Sequence, residues 1–108
     1  MKIIKDKIYI KDYKKKIEYK HLYKEKERIK NIEDLILDSK NLKSLILNPL
    51  SSIYCIEQKK GNLKEIYTAR INQKMRLCIK PIGEYPYNIV EITELEFLRI
   101  DDKHYGEG

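Results

Sequence analysis

The stretch IYTARINQKMRLCIK, residues 66–80, predicts a β-hairpin and decides the fold. Apolar side chains occupy every second position on both arms, at Tyr67, Ala69, Ile71, Met75, Leu77 and Ile79. Successive side chains of a strand point to opposite faces, so only a loop with an odd number of residues keeps both apolar sets on one face. Residues 72–74 supply such a loop. We therefore predict strands at Ile66–Ile71 and Met75–Ile79, with Ile71 opposite Met75.

The same register places Arg70 directly opposite Arg76, on the other face of the hairpin. Like charges that face each other across a sheet repel. The arrangement is favourable when an anion lies between the two guanidinium groups, and phosphate fits because guanidinium binds it through forked hydrogen bonds. Two alternatives need no ligand: the arginines splay outward, or they pair with carboxylates such as Glu91 or Glu94.

Helical patterns precede the hairpin. The loosely alternating segment Lys2–Ile10 predicts a first strand, and Asp12 is placed to cap a helix from Tyr13 to about Lys30. Asn31 is typical of a second helix start. Beyond it, apolar side chains recur at three- and four-residue spacing, at Ile32, Leu35, Ile36, Leu42, Leu45 and Ile46. Two short helices or one bent helix would bury this set. Asn48-Pro49 should end the helical part, because proline disfavours a helical residue before it.

Strand patterns lie on both sides of the hairpin. Ile53–Gln58 is a short apolar run, Gly61-Asn62 marks a turn, residues 83–86 hold another, and Tyr87–Ile100 predicts a long central strand. The order predicts an α+β fold in a single domain, residues 1–108. An N-terminal strand and two or three helices pack on one face of a mostly antiparallel sheet of about four strands.

The charge of the chain is unevenly distributed. The formal net charge is +6, and the hydrophobic content of 42% is too high for a disordered chain. Residues 1–30 hold twelve Lys or Arg and five Asp or Glu, whereas residues 31–108 hold eleven and twelve. A basic excess confined to the first third of the chain favours a polyanionic partner. The alternative is that these charges only solvate one helix face.

The cysteines and the hydropathy pattern indicate a cytoplasmic protein. Cys55 and Cys78 are too few for a disulfide framework, form no CxxC pair and have no His at zinc-ligand spacing. We expect both to be reduced structural thiols. Met1 is followed by a charged segment rather than an apolar run, and no stretch approaches the roughly 20 apolar residues of a membrane span. We expect no membrane association.

Three motifs in the second half of the chain resemble the core signature of RelE-type toxins. They are EQKKGNL at residues 57–63, YTARI at 67–71 and MRLCI at 75–79. The sequence Lys103-His104-Tyr105 resembles the His-Tyr pair that ends the YoeB-type branch, and residues 101–104 resemble the end of a HigB-like branch. The resemblance covers about residues 53–105 and identifies the chain with the RelE/ParE superfamily of toxins from type II toxin–antitoxin systems.

The resemblance implies an endoribonuclease that cleaves mRNA without a metal or other cofactor. Such a reaction needs a base for the 2′-hydroxyl proton, a cation for the phosphate and an acid for the leaving oxygen. Glu57 matches the family's glutamate as base, and Arg76 matches its phosphate-binding arginine. His104 would be the acid, Tyr105 would orient a base or the leaving group, and Arg70 would be a second phosphate contact.

The resemblance also implies two kinds of partner: a cognate antitoxin, and mRNA in the ribosomal A site. Lysines that flank the predicted turn would contact the RNA backbone, or would only solvate the turn; they are Lys59, Lys60 and Lys64.

Each functional assignment has a plainer alternative. In one alternative, Glu57 has no catalytic role and forms a surface ion pair with Lys59. In another, His104 is an exposed tail residue; Gly106-Glu107-Gly108 extends past the His-Tyr pair, unlike the end of the YoeB-type branch. Two other functions compete with the nuclease. They are a ParE-type inhibitor of DNA gyrase and a basic, non-catalytic binding module.

Overall fold

The computed structural model describes residues 1–102 as four α-helices packed on a five-stranded sheet. The strands are β1 (Lys2–Lys5), β2 (Glu57–Gln58), β3 (Tyr67–Arg70), β4 (Arg76–Pro81) and β5 (Glu94–Asp101). Their order across the sheet is β1-β5-β4-β3-β2, and all neighbours are antiparallel except β1 and β5. The predicted fold class is confirmed, with five strands where about four were expected.

The predicted hairpin register is confirmed. Arg70 pairs with Arg76 and Ala69 pairs with Leu77 across β3 and β4. The Ile71 amide donates to the Met75 carbonyl at 3.1 Å, so the loop holds the three predicted residues. The apolar positions of both strands face the core, and Arg70 and Arg76 lie on the opposite face.

The predicted first strand is wrong beyond Lys5. Asp6 begins a helix instead, because its Oδ1 accepts the Ile8 amide at 2.8 Å. Helix α1 spans Lys7–Tyr13 and continues as a π-helical turn over Lys14–Glu18. The alternation of isoleucines was misleading, because Ile8 is largely exposed whereas its neighbour Tyr9 is buried.

Asp12 is therefore not a helix cap. It lies inside α1, and its Oδ2 accepts the Ile100 amide of β5 at 2.9 Å. The carboxylate that sequence reasoning assigned to a helix start instead ties this helix to the end of the sheet.

Helix α2 spans Tyr23–Asp38 and runs through Asn31 without a break. The predicted helix from Tyr13 to Lys30 and the predicted start at Asn31 are both wrong. A continuous buried stripe at helical spacing explains the unbroken helix; its members are Ile29, Ile32, Leu35 and Ile36. The break lies earlier, at His21, whose φ is 54°.

No helix among residues 1–102 is long and apolar enough to cross a membrane.

Two short helices follow, α3 (Leu42–Leu47) and α4 (Pro49–Ile53). The helical part does not end at Asn48-Pro49 as predicted. Asn48 closes α3 and also caps α4, because its Oδ1 accepts the Leu50 amide at 2.9 Å and Pro49 occupies the first helical position. Residue 53 is therefore helical, and the strand predicted from Ile53 shrinks to β2.

The long strand predicted over Tyr87–Ile100 is confirmed only from Glu94 onward. The preceding segment, residues 87–93, forms hydrogen bonds with the first residues of α3 instead of pairing with a strand. Its carbonyls at Ile89 and Ile92 accept the amides of Lys43 and Leu42, both at 3.0 Å.

The predicted turn at Gly61 is confirmed as a short 3-10 helix. The positive φ of Gly61, 69°, begins this helix.

A single apolar core lies between the helices and one face of the sheet. Phe97 of β5 is at its centre, fully buried, with the Tyr9 ring edge-on at a centroid distance of 5.3 Å. The fully buried side chains around it come from both layers: Ile17, Ile29, Ile32, Ile36, Leu42, Leu45, Leu77, Ile79, Leu95 and Ile100. This face of the sheet is occupied by the helices, which leaves the other face for function.

Phe97→Ala should lower the free energy of unfolding by about 3–5 kcal/mol, because it removes a large ring from a close-packed site. Urea denaturation measures this change. Leu47→Ala is the matched control, since Leu47 is 68% exposed, and it should change the free energy of unfolding by less than about 0.5 kcal/mol. Equal effects of the two substitutions would contradict this core.

Candidate nucleic-acid interface

The site is built on the face of the sheet that the helices leave uncovered. Side chains that alternate with the core residues of β3 and β4 point to this outer face. Arg70, Arg76 and Asp101 form one row across it, since Arg76 pairs with both of the others. Arg70 is exposed, and Arg76 is half-buried.

The two arginines lie close together at the backbone. The Arg70 amide donates to the Tyr54 carbonyl at 2.7 Å rather than to β4. The Arg70–Arg76 pair is therefore of the non-hydrogen-bonded type, in which paired Cα atoms lie about 4.5 Å apart. Such spacing brings the two positive side chains out of the sheet side by side.

Hairpin carbonyls hold the Arg76 guanidinium. Nη1 donates to the carbonyl oxygens of Asn72 at 2.7 Å and of Met75 at 3.1 Å. Nε and Nη2 donate to none of residues 1–102. These contacts fix the Nη1 side of the guanidinium against the hairpin backbone.

The predicted alternative in which carboxylates neutralise the arginines is wrong for both named residues. Glu94 pairs with Lys2 at 3.6 Å, and Glu91 forms no ion pair within the described chain. The Arg70 side chain likewise makes no hydrogen bond or ion pair with the residues that the structure describes.

A concavity of about 210 Å³ lies on the outer face. Of the residues that the structure describes, three cations, Lys59, Arg76 and Arg99, line it together with one carboxylate, Asp101. The remaining lining residues are small or apolar: Leu63, Ile66, Thr68 and Cys78. The concavity thus combines a positive rim with an apolar wall.

Arg99 was not predicted as a site residue, and a β-bulge explains why. Cys78 pairs with Arg99, but the next residue, Ile79, pairs with Phe97, so β5 carries one extra residue, Leu98. Strict alternation would place Arg99 on the core face with Phe97. The bulge re-aims it to the outer face beside Cys78.

Cys78 lies within this face and is buried. Burial raises the pKa of the Cys78 thiol above its ordinary value, so the group remains a neutral thiol at pH 7. Since the thiolate is the nucleophilic form, Cys78 acts as a small filling side chain between the cations.

The other predicted residues are placed as follows. Glu57 is exposed on β2 and pairs with Thr68, which puts it on the outer face. Within the described residues it forms no ion pair with Lys59, so the predicted surface pair is wrong. Lys60 and Lys64 are exposed and do not line the concavity. The Nζ of Lys64 lies 5.5 Å from the centre of the Tyr85 ring.

His104 and Tyr105 lie outside the described residues. The last described strand, β5, ends at Asp101, which pairs with Arg76. Lys16 holds this end of β5, with Nζ 2.8 Å from the Ile100 carbonyl and 3.2 Å from Asp102 Oδ1.

A larger groove, about 690 Å³, lies between α1 and α2 and contains none of the predicted site residues. Its charges are balanced: Lys5 pairs with Glu33 at 3.0 Å and Lys30 with Asp34 at 3.4 Å. The buried Tyr9 hydroxyl lines it without a hydrogen-bond partner among the described residues. Burial raises the pKa of Tyr9 well above its ordinary value, and the nearby Glu33 adds to this.

Comparison with known proteins gives the fold. No protein-family profile and no curated protein sequence matches the chain. The crystal structure of YafQ from E. coli strain BL21(DE3) superposes with a TM-score of 0.62 at 17% identity, over 94% of this chain and 91% of that one. A mutant of E. coli YafQ gives 0.60 at 19%, over the same shares. The YoeB/ParE toxin from Agrobacterium tumefaciens gives 0.56 at 18%, over 97% of this chain and 100% of that one. The fold that the motif resemblance implies is confirmed: the chain has the fold of YafQ and of the YoeB/ParE toxin.

Proposed function

We propose that this chain is the toxin of a toxin–antitoxin system and acts as an endoribonuclease on mRNA at the ribosome. The observation that carries the proposal is the placement of Arg76. It stands beside Arg70, is held by hairpin carbonyls, and lines a concavity with two further cations. The fold and the sequence motifs both support this reading.

The outer face is suited to a phosphodiester. Arg76, Arg99 and Lys59 line the concavity, and among residues 1–102 Asp101 is the one carboxylate that lines it. A guanidinium group binds phosphate oxygens through two parallel hydrogen bonds, which suits Arg76 to this role. Because Arg76 is already held, its charge is in place before the transition state forms and needs no reorganisation.

The proposed reaction is an internal transfer. Glu57 accepts the proton of the 2′-hydroxyl as that oxygen forms a bond to phosphorus. The bond from phosphorus to the 5′-oxygen of the next nucleotide breaks, and His104 gives that oxygen a proton. Arg76 stabilises the extra negative charge on the phosphate during the exchange, and Arg70 binds a neighbouring phosphate. Tyr105 would orient the base or the leaving group.

Two other functions make different predictions. A ParE-type gyrase inhibitor would change DNA supercoiling and leave RNA intact, and a basic binding module would do neither. In-vitro translation with mapping of message ends separates the three. The nuclease proposal expects cuts within codons, together with neutralisation by a small antitoxin encoded beside this gene.

Arg76→Ala should lower the rate of RNA cleavage about a hundredfold, equivalent to roughly 3 kcal/mol of transition-state stabilisation. Arg76→Lys should recover only part of the rate, because an ammonium group cannot reproduce the guanidinium fork. Single-turnover cleavage of a mapped message measures both. Lys14→Ala is the control: Lys14 is exposed on the helical side, and its loss should leave the cleavage step unchanged. Full growth arrest by Arg76→Ala protein would move the assignment to the gyrase inhibitor.

Cleavage should survive removal of divalent metal, because side chains supply the base, the cation and the acid. Residues 1–102 also hold no group of three or more His, Cys, Asp or Glu arranged to bind a metal ion. The measurement is cleavage of ribosome-free RNA in EDTA, compared with the same reaction in magnesium. Activity that disappears in EDTA and returns with added magnesium would refute this part of the proposal.

A further inference from the structure

We infer that Glu25 of α2 is a positioning residue for Arg76 and acts through Asn72. The inference rests on the proposed nuclease function, in which Arg76 contacts the reacting phosphate. Glu25 itself lies on a helix, on the covered side of the sheet, and reaches the site only through the β3–β4 loop.

Asn72 joins the helix to the arginine. Its Nδ2 donates to Glu25 Oε2 at 3.0 Å, and its backbone carbonyl accepts Arg76 Nη1 at 2.7 Å. Glu25, Asn72 and Arg76 are all half-buried, so these contacts are partly shielded from water. One loop residue therefore carries both the contact with α2 and the contact that fixes the guanidinium.

Glu25 and the loop backbone together fix the orientation of the Asn72 amide. The other end of that amide, Oδ1, accepts the backbone amides of Lys74 and Met75, both at 2.8 Å. An asparagine amide has a donor end and an acceptor end. Since the Glu25 carboxylate only accepts hydrogen bonds, it holds the NH₂ toward the helix and the oxygen toward the loop. Loss of Glu25 leaves the NH₂ group without its acceptor on α2, and this loosens the loop whose carbonyl holds Arg76.

Arg28 reinforces the same connection one turn later on α2. Its Nε donates to the Arg70 carbonyl at 2.6 Å and its Nη2 to the Ile53 carbonyl at 2.9 Å. Its guanidinium also lies 4.9 Å from the centre of the Tyr54 ring. Residues three apart share a helix face, so Glu25 and Arg28 together hold the hairpin. Arg28 has further contacts near the end of α4, whereas Glu25 contacts the hairpin through Asn72, which makes Glu25 the cleaner test.

The test measures single-turnover cleavage and RNA affinity separately. Glu25→Ala should lower the cleavage rate constant about tenfold while RNA affinity changes less than twofold. Glu25→Gln should restore most of the rate, because its Oε1 still accepts from Asn72. Asn72→Asp should lose rate like Glu25→Ala, since it keeps the loop acceptor but removes the donor to Glu25. Glu27→Ala is the matched control: it removes the same charge from the same helix at an exposed position, and its rate should stay within twofold of wild type.

A double substitution separates positioning from a general loss of structure. In an Arg76→Ala background, Glu25→Ala should cause no further loss of rate, because its effect passes through Arg76. Multiplied losses would overturn the inference, as would a Glu25→Gln protein as slow as Glu25→Ala. If Arg76→Ala slows cleavage but Glu25→Ala behaves like Glu27→Ala, the positioning role falls and the proposed function stands. If Arg76→Ala cleaves at the wild-type rate, the role of Arg76 at the phosphate falls and the positioning role of Glu25 falls with it. A wild-type protein that cuts no message would overturn the proposed function.

Discussion

The constraint on which the rest of the structure depends is the length of the loop between β3 and β4. Three residues allow Ala69 to face Leu77 on the core side while Arg70 faces Arg76 on the other. A loop one residue longer or shorter would shift one arm by a position and turn its charged side chains into the core. Burial of the apolar positions thus places two like charges side by side. The apolar core stabilises this hairpin register, which the repulsion between Arg70 and Arg76 opposes.

Contacts from the rest of the fold hold Arg70 and Arg76 in this pairing. Carbonyls of the hairpin accept hydrogen bonds from Arg76, and α2 holds the loop through Glu25 and the end of β3 through Arg28. The bulge in β5 adds Arg99 to the same face while keeping Phe97 in the core. These features concentrate positive charge on the sheet face opposite the helices of residues 1–102, an arrangement that suits a phosphate-bearing ligand.

Local patterns predicted the hairpin and failed where tertiary contacts decide. The register of β3 and β4 follows from alternation and loop parity alone. The first helix was missed because Ile8 and Ile10 imitate a strand, although the buried residues of that region, Tyr9 and Ile17, are eight positions apart as in a helix. Asn48-Pro49 was read as an end, but the same pair also starts a helix.

The candidate site was predictable to the same extent. Arg70 and Arg76 follow from the hairpin. Arg99 depends on a bulge, which shifts the core positions of β5 from Leu95 and Phe97 to Ile100. The Glu25–Asn72 contact joins residues 47 positions apart. The central claim is that the reacting phosphate lies against Arg76, and a crystal structure with RNA carrying a 2′-deoxy block at the cut position tests it most directly. The account predicts scissile phosphate oxygens about 2.7–2.9 Å from the Arg76 guanidinium nitrogens. RNA bound along the groove between α1 and α2, with the outer face empty, would contradict it.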